Sequence, residues 1–242
     1  MMKKITYYLI VFIIFSCSNE SEITIKKFEG SPAFQDAKLL LASFSKNEES
    51  AYDFIFNVEN YELGKQTDGA LVNSLANSAQ GQHIHMIVNN GPYSAHYESN
   101  FSKEINQGKN LILFFLSRSF HESVKNPNAF TLVQETNGSE DYKPYDLTSE
   151  FLFYSRPKGT YKGADTKKLL LDFYLVNTEI SAEGNKVRAT INGKEFIINE
   201  WAPYYIEGLP LGEVTVKLEL INANGALIDT PFNPVERKVT LE

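Results

Sequence analysis

The sequence is poor in cysteine, tryptophan and positive charge. Among 242 residues there are one Cys, one Trp, and 23 Lys and Arg residues against 30 Asp and Glu residues, which gives a formal net charge of -7. A single cysteine excludes an internal disulfide framework and any metal cluster that needs several cysteine ligands. The negative charge argues against nucleic acid and against an anionic lipid surface as partners.

The motifs of several common enzyme classes are also missing. The chain has no Gly-x-Ser-x-Gly nucleophile elbow, no glycine-rich phosphate loop and no dinucleotide-binding fingerprint. Residues 117–123 place hydroxyls, His121 and Glu122 side by side, but neighbours on one turn do not form a catalytic triad. We therefore expect a binding or accessory protein that is not an enzyme.

The N-terminal residues predict export and a lipid anchor. Lys3 and Lys4 precede an apolar run over residues 7–15, about half the length that spans a bilayer, as is typical of a signal peptide. Residues 14–17 (IFSC) resemble a bacterial lipobox, which implies that Cys17 carries lipid; the alternative is a plain signal peptide with an incidental cysteine. We expect a signal peptide over 1–16, a lipidated Cys17 with a tether over 17–22, and an outer-membrane lipoprotein that faces the periplasm or the cell surface.

From residue 23 onward, short runs alternate apolar and polar residues with period two. Such runs, separated by Gly, Asn, Pro and acidic residues, are typical of β-sandwiches. We predict an all-β protein of two tandem immunoglobulin-like β-sandwich domains, over residues 23–144 and 145–242. Residues 69–78 form the one candidate helix, with a loop insertion as the alternative. The predicted strands cover 23–28, 37–45, 52–58, 83–88, 110–116, 130–134, 151–154, 169–176, 186–191, 195–198, 213–221 and 237–241.

The two halves are predicted to be copies of one unit. Residues 84–91 (IHMIVNNG) align with 187–193 (VRATING), residues 108–116 (GKNLILFFL) align with 212–220 (GEVTVKLEL), and an Asn-Pro pair follows in each copy. In the second copy the odd-numbered residues of 187–191 share the core face. The same alternation turns Ile84 and Met86 inward in the first copy, and His83 and His85 outward.

All four histidines lie in the first copy. His83 and His85 are two residues apart on a strand, so their imidazoles project about 7 Å apart from one face, which suits two ligands of one metal ion. His96 lies on the next hairpin arm and His121 follows the next long strand. We predict a copper or zinc site at His83, His85, His96 and His121, with structural histidines as the alternative. Met86 adds a soft ligand only if it shares the face of the histidines.

Aromatic residues near predicted turns support a second hypothesis. Exposed rings can bind a glycan or a protein partner, whereas buried rings fill sandwich cores. Under this hypothesis the protein is a protein- or glycan-interaction module and its histidines are structural. The candidate ligand-binding aromatics are Tyr93, Tyr97, Trp201, Tyr204 and Tyr205.

Five longer motifs resemble a known family. These are GQHIH (81–85), NGPYSAHY (90–97), FLSRSFHES (115–123), FYSRPKGTY (153–161) and WAPYYIEGLP (201–210). Together they are similar to Bacteroidota envelope lipoproteins that are labelled phosphopeptide-binding proteins. The resemblance implies an envelope lipoprotein with tandem immunoglobulin-like domains, and it carries over no catalytic residue. Phosphopeptide readers gather Arg and Lys around the phosphate, whereas Arg118, Arg156 and Arg188 are scattered along this acidic chain.

Overall fold

The chain is built from short strands joined by tight turns. The computed structural model describes residues 22–27, 29, 31–69 and 74–242. A 3-10 turn covers Gly163–Thr166. In chain order the strands are β1 (Thr24–Lys27), β2 (Lys38–Lys46), β3 (Tyr52–Glu59), β4 (His83–Val88), β5 (Ser94–His96), β6 (Asn100–Lys103), β7 (Gly108–Ser117), β8 (Phe130–Asn137), β9 (Phe151–Arg156), β10 (Gly159–Tyr161), β11 (Leu169–Val176), β12 (Lys186–Ile191), β13 (Lys194–Ile198), β14 (Tyr204–Glu207), β15 (Gly212–Ile221) and β16 (Val235–Leu241).

The strands form four sheets that pair into two β-sandwiches. The first sandwich consists of the sheets β2-β3-β6 and β5-β4-β7-β8, and the second of the sheets β1-β14-β11-β9 and β10-β16-β15-β12-β13. Each sandwich encloses an apolar core, with Phe54 and Phe114 in the first and Phe173 and Val216 in the second. The predicted all-β fold of two tandem immunoglobulin-like sandwiches is confirmed.

Strand β1 lies in the second sandwich, which corrects the placement of residues 23–28 in the first domain. It pairs antiparallel with β14, from Thr24 opposite Glu207 to Lys27 opposite Tyr204. Ile25 packs against the core of the second sandwich. From β1 onward, the described chain therefore runs from the second sandwich into the first, which it builds from β2 to β8, and then returns to the second. The predicted boundary near residue 145 falls in the connection between β8 and β9.

The strand registers confirm that the two sandwiches repeat one unit. Ile84 of β4 lies opposite Leu116 of β7, and Val187 of β12 lies opposite Leu220 of β15, as the alignment of the two copies requires. The hairpin turn after β4 has Asn89 with φ of 50°, and the turn after β12 has Asn192 with φ of 46°. Asn tolerates this left-handed backbone better than most residues, which favours tight hairpins at both places.

The two sandwiches bury a third apolar core between them, here called the junction. The outer face of β4 and β7 in the first sandwich meets the outer face of β9 and β11 in the second. Tyr174 of β11 stacks on Phe115 of β7 with ring centres 4.9 Å apart. The buried junction residues are Ile87, Tyr93, Leu111, Leu113, Phe115, Phe151, Phe153, Tyr174 and Val176.

Several predictions for the N-terminal region fall outside the described residues. The signal peptide, Cys17 and the tether up to residue 21 lie there, whereas Glu22 is described and exposed. Residues 70–73 of the candidate helix are outside as well, whereas residue 74 lies in a turn and residue 75 in a bend. In the described ranges, no helix has the length and apolar character needed to cross a membrane.

Candidate metal centre

Strand β4 carries the first two histidines of the site on its outer face. Ile84 and Met86 point into the core of the first sandwich, as the alternation predicts, and His83 and His85 point the other way. The second sandwich covers part of this outer face at the junction, around Ile87 and Phe115. The rings that pack against His83 and His85 belong to Tyr93, Tyr97, Phe115 and His121, and both histidines are 0% exposed.

His121 reaches the same place from the turn that follows β7. This turn is closed by the hydrogen bond from the His121 N–H to the Arg118 carbonyl oxygen at 2.9 Å, and His121 has φ of 68°. The second copy makes the same turn, in which the Gly225 N–H donates to the Asn222 carbonyl oxygen and Gly225 has φ of 81°. A histidine thus stands where the repeat has the glycine that the left-handed backbone favours.

The three imidazoles, here called the histidine cluster, are His83, His85 and His121. Their Nε2, Nε2 and Nδ1 atoms form a triangle, with 2.8 Å between His83 and His85, 3.1 Å between His83 and His121, and 3.4 Å between His85 and His121. Two nitrogens bound at 2.0–2.1 Å to a tetrahedral metal are about 3.3 Å apart. The triangle already has close to this size.

Hydrogen bonding orients one of these rings toward the triangle. The His83 Nδ1–H donates to the Gly81 carbonyl oxygen at 2.8 Å, so the His83 Nε2 lone pair is directed at the other two histidines. Such a bond from the second ring nitrogen is typical of histidines that bind metals. The buried Nδ1 atom of His85, in contrast, has no hydrogen-bond partner.

The electrostatic environment keeps the histidine cluster neutral. Burial lowers the pKa of His83 to about 4 and holds the pKa values of His85 and His121 well below the usual range. The positive charges of Arg156 and Lys158 lower all three further. Neutral imidazoles offer lone pairs to a metal without competition from protons at neutral pH.

Buried ion pairs hold the turn that carries His121. Within the turn, Arg118 donates to Glu122 at 3.0 Å, with both side chains almost fully buried. Asp172 of β11 accepts hydrogen bonds from the Ser123 N–H at 3.2 Å and the Ser123 hydroxyl at 2.9 Å, and from the Lys125 ammonium at 2.6 Å. The second sandwich thereby fixes a turn of the first.

His96 does not join the histidine cluster, which corrects its predicted role as a ligand. It lies opposite Ile84 in the pairing of β5 with β4, and so on the other face of the sheet from His83 and His85. Its Nε2 atom is 2.8 Å from the Ser94 hydroxyl, and its ring stacks on Phe101 at 3.6 Å. Met86 also faces away from the histidine cluster and is not a ligand.

Two of the candidate aromatics border the histidine cluster. The ring of Tyr93 stacks on His85 with centres 3.6 Å apart, and the Tyr93 hydroxyl lies 3.3 Å from the His121 Nδ1 atom. Tyr97 lies 5.0 Å from His83, ring centre to ring centre, and its hydroxyl is 2.7 Å from that of Ser78. Tyr93 is buried, so it is not an exposed platform for a sugar ring.

The remaining candidate aromatics pack within and beside the second sandwich. The Trp201 indole N–H donates to the Phe173 carbonyl oxygen at 3.0 Å, and the buried Tyr204 hydroxyl donates to the Glu200 carbonyl oxygen at 3.0 Å. Tyr205 is half-buried and packs against the small cluster of Leu75, Phe120 and Leu170. These contacts do not form a row of exposed rings.

Two cations near the histidine cluster were not predicted from the sequence. Lys158 donates to the Tyr93 carbonyl oxygen at 2.7 Å, and its nitrogen lies 3.8 Å from the centre of the Tyr93 ring. The guanidinium of Arg156 lies 5.2 Å from the same ring centre. Burial and the charges of Arg156 and Arg237 lower the pKa of Lys158 to about 8. Arg156 is the last residue of β9 and Lys158 lies in the connection to β10. Only their place in the FYSRPKGTY motif gave a sequence signal for them.

Comparison with known proteins gives low similarity throughout. No protein-family model and no curated protein sequence matches the chain. Among solved structures, the chain is similar to fibronectin(III)-like modules of Clostridium thermocellum CbhA, with 10% identity, 78% of this chain and 85% of that chain covered, and a TM-score of 0.30. It is also similar to a segment of two fibronectin type-III domains from chicken tenascin, with 8% identity, coverage of 84% and 98%, and a TM-score of 0.24. Because these identities and TM-scores are low, the fold is assigned from the sheets and strand registers described above and not from these similarities.

Proposed function

We propose that the protein binds one copper or zinc ion through His83, His85 and His121. The observation that carries this proposal is the triangle of imidazole nitrogens, whose sides of 2.8, 3.1 and 3.4 Å are close to the ligand spacing around a metal. Imidazole ligands without thiolate or carboxylate suit copper and zinc. The ligand set is thus three of the four predicted histidines.

A purely structural role explains the histidine cluster less well. A hydrogen bond between two nitrogens of the histidine cluster needs a proton on one of them. The proton of the neutral His83 ring is on Nδ1, where it is donated to the Gly81 carbonyl oxygen, so the His83 Nε2 atom can only accept. His85 can donate its Nε2 proton to only one neighbouring nitrogen, so hydrogen bonds among these rings cannot satisfy every side of the triangle. The His85 Nδ1 atom lacks a partner in either case and does not distinguish the two roles. A metal ion engages all three lone pairs at once.

The backbone at His121 gives independent support. A left-handed conformation costs a residue other than glycine about 1–2 kcal/mol, and the matching turn of the second copy uses Gly225. Unfavourable backbone geometry that persists in one copy of a repeat is typical of functional positions. In the first copy this unfavourable backbone conformation places the His121 imidazole beside His83 and His85.

We further propose that this metal binding takes place in the cell envelope, as expected for a lipid-anchored accessory protein. The support is the N-terminal sequence pattern, with its apolar run and the cysteine at position 17. A protein partner for the second sandwich is compatible with this role. Mass spectrometry of the purified protein for lipid on Cys17 tests the anchor separately from the metal site.

The sharpest test of metal binding is the variant His121→Gly. It gives the first copy the residue of the second, so the metal-free variant should fold with a stability within about 1 kcal/mol of the parent. The parent should bind one equivalent of Cu(II) or Zn(II) by elemental analysis and calorimetric titration. Metal at 100 times the dissociation constant should stabilise it by about 2.7 kcal/mol, which corresponds to about 5–11 °C in melting temperature.

The matched control is His96→Gln, because His96 lies on the opposite face of the same sheet. This variant should keep the stoichiometry and the melting shift, whereas His121→Gly should lose both. A parent protein that binds neither ion, or a His121→Gly variant that binds as tightly as the parent, would overturn the proposal.

A further inference from the structure

Tyr93 offers the histidine cluster an oxygen ligand. Its hydroxyl lies 3.3 Å from the His121 Nδ1 atom, about the distance between two ligands of one tetrahedral ion. Its ring lies parallel to that of His85, with centres 3.6 Å apart and an angle of 16° between the planes. A metal on the His85 Nε2 atom lies in the imidazole plane, so the Tyr93 ring must tilt toward that plane to bring its oxygen to a bonding distance of about 2 Å. Tyr93 is 4% exposed, so its hydroxyl stays beside the His121 Nδ1 atom in the metal-free protein.

The positive charges around the histidine cluster favour an anionic ligand for a bound metal ion. In the described part of the chain, the potential ligands gathered here are three imidazoles, with no carboxylate or thiolate among them. A divalent ion would therefore add two positive charges close to those of Arg156 and Lys158. Positive charges repel one another strongly at a buried site, where the dielectric is low. An anionic ligand removes part of this repulsion.

We propose that the Tyr93 phenolate oxygen is the fourth ligand of a divalent ion held by the histidine cluster. This inference rests on the proposed function. When the ion binds, the Tyr93 O–H bond breaks, the proton passes to bulk water, and the oxygen keeps the electron pair with which it binds the metal. Arg156 and Lys158, which flank the Tyr93 ring, then neutralise the remaining charge of the phenolate.

The hydroxyl is not ionised in advance. A tyrosine hydroxyl ordinarily has a pKa of about 10 and is protonated at neutral pH. The proton therefore leaves when the metal takes its place. Because the three imidazoles bind as neutral groups, the tyrosine is the expected source of one proton per bound ion.

Cu(II) is the probe for this inference, because a phenolate bound to Cu(II) gives a visible charge-transfer absorption that imidazoles alone do not. The parent protein titrated with Cu(II) should develop this band at one equivalent. Calorimetry in buffers of different ionisation enthalpy should show the release of one proton per ion. Tyr93→Phe should still bind one Cu(II) at the histidines, without the band and without proton release, and with affinity lowered by about 10-fold or more.

Tyr97→Phe is the matched control. Tyr97 also lies beside His83, but its hydroxyl is bonded to Ser78, so this variant should keep the band, the proton release and the parent affinity.

The outcomes separate the two proposals. One bound Cu(II) in the parent without a charge-transfer band, or a band that survives in Tyr93→Phe, overturns the role of Tyr93 and leaves the proposed function intact. The first of these results would point to water or another small anion as the fourth ligand. Absence of Cu(II) and Zn(II) binding in the parent overturns the proposed function together with the inference.

Discussion

Replacing Asp172 by Asn should weaken both the folded protein and its metal site. Asp172 is 0% exposed and accepts hydrogen bonds from the backbone and hydroxyl of Ser123 and from Lys125. The asparagine side chain has nearly the same shape, but it lacks the charge and would present an N–H group to donors. The variant therefore tests the contact that ties the turn of His121 to the second sandwich.

The size of the effect follows from the burial of the pair. Removing one partner of a buried ion pair costs about 3–5 kcal/mol. Lys125 is 12% exposed, so it can recover some hydration, and we expect a loss near the lower end, about 3 kcal/mol. At about 2–4 °C per kcal/mol for a chain of this length, the melting temperature should fall by about 6–12 °C.

The assay is urea unfolding of the metal-free protein, followed by metal titration of the variant. A double-mutant cycle with Lys125→Met measures the coupling of the ion pair directly. Because the turn of His121 loses its anchor, the metal affinity should fall by about 10-fold. The exposed pair of Lys238 and Glu213 provides the control: Glu213→Gln should change the free energy of unfolding by less than about 1 kcal/mol.

The reasoning is refuted if Asp172→Asn costs less than about 1 kcal/mol, or if its effect and that of Lys125→Met simply add. Either result would mean that the ion pair does not couple the two sandwiches. An unchanged metal affinity with the expected loss of stability would refute only the positioning of His121.

Three further predictions concern stability. His83 by itself should lower the free energy of unfolding of the metal-free protein by about 3 kcal/mol between pH 7 and pH 4, because it takes up a proton near pH 6.5 when unfolded but only near pH 4 when folded. His85, His96 and His121, whose pKa values are also lowered, should add to this loss; in urea unfolding at both pH values, His83→Gln should therefore lose less than the parent by about 3 kcal/mol. Leu113→Ala in the junction should cost about 2–5 kcal/mol, whereas the same change at Leu211, which is 71% exposed, should cost less than about 0.5 kcal/mol by urea titration. Gly81→Ala should lower the melting temperature more than Gly193→Ala, although both glycines have a similar positive φ. A Cβ at residue 81 would lie 2.5 Å from a backbone oxygen, whereas a Cβ at residue 193 would meet nothing within 4 Å. Equal melting temperatures for the two variants would contradict this explanation.

The sequence by itself determined the strands and their faces. Alternation along β12 buries Val187, Ala189 and Ile191, and the same alternation in β4 buries Ile84 and Met86 in the core. These choices are local, because successive side chains of a strand point to opposite faces whatever the sheet packs against. The repeat could be recognised in the sequence for the same reason, because it depends on the spacing of turns and apolar positions within each copy.

Register and packing between the sandwiches decided the site. His96 lies on the hairpin arm next to the strand of His85, but the pairing of β5 with β4 sets it opposite Ile84. Its side chain is therefore on the other face of the sheet and does not reach the histidine cluster. His121 reaches the other two histidines because the turn after β7 adopts a left-handed backbone. Neither relation can be obtained from spacing along the chain, because a shift of one residue in register turns every side chain to the other face.

Only the tertiary structure decided that the histidines are buried. Alternation assigns His83 and His85 to the outer face of their sheet, and in an isolated sandwich that face would meet water. The aromatic surface of β9 and β11 covers the part of this face around Phe115, where Tyr174 stacks. The histidines themselves are covered by Tyr93 and Tyr97 and by the turn that carries His121. Alternation indicates which face a residue occupies, whereas burial depends on what covers that face, and only the folded arrangement of these segments decides that.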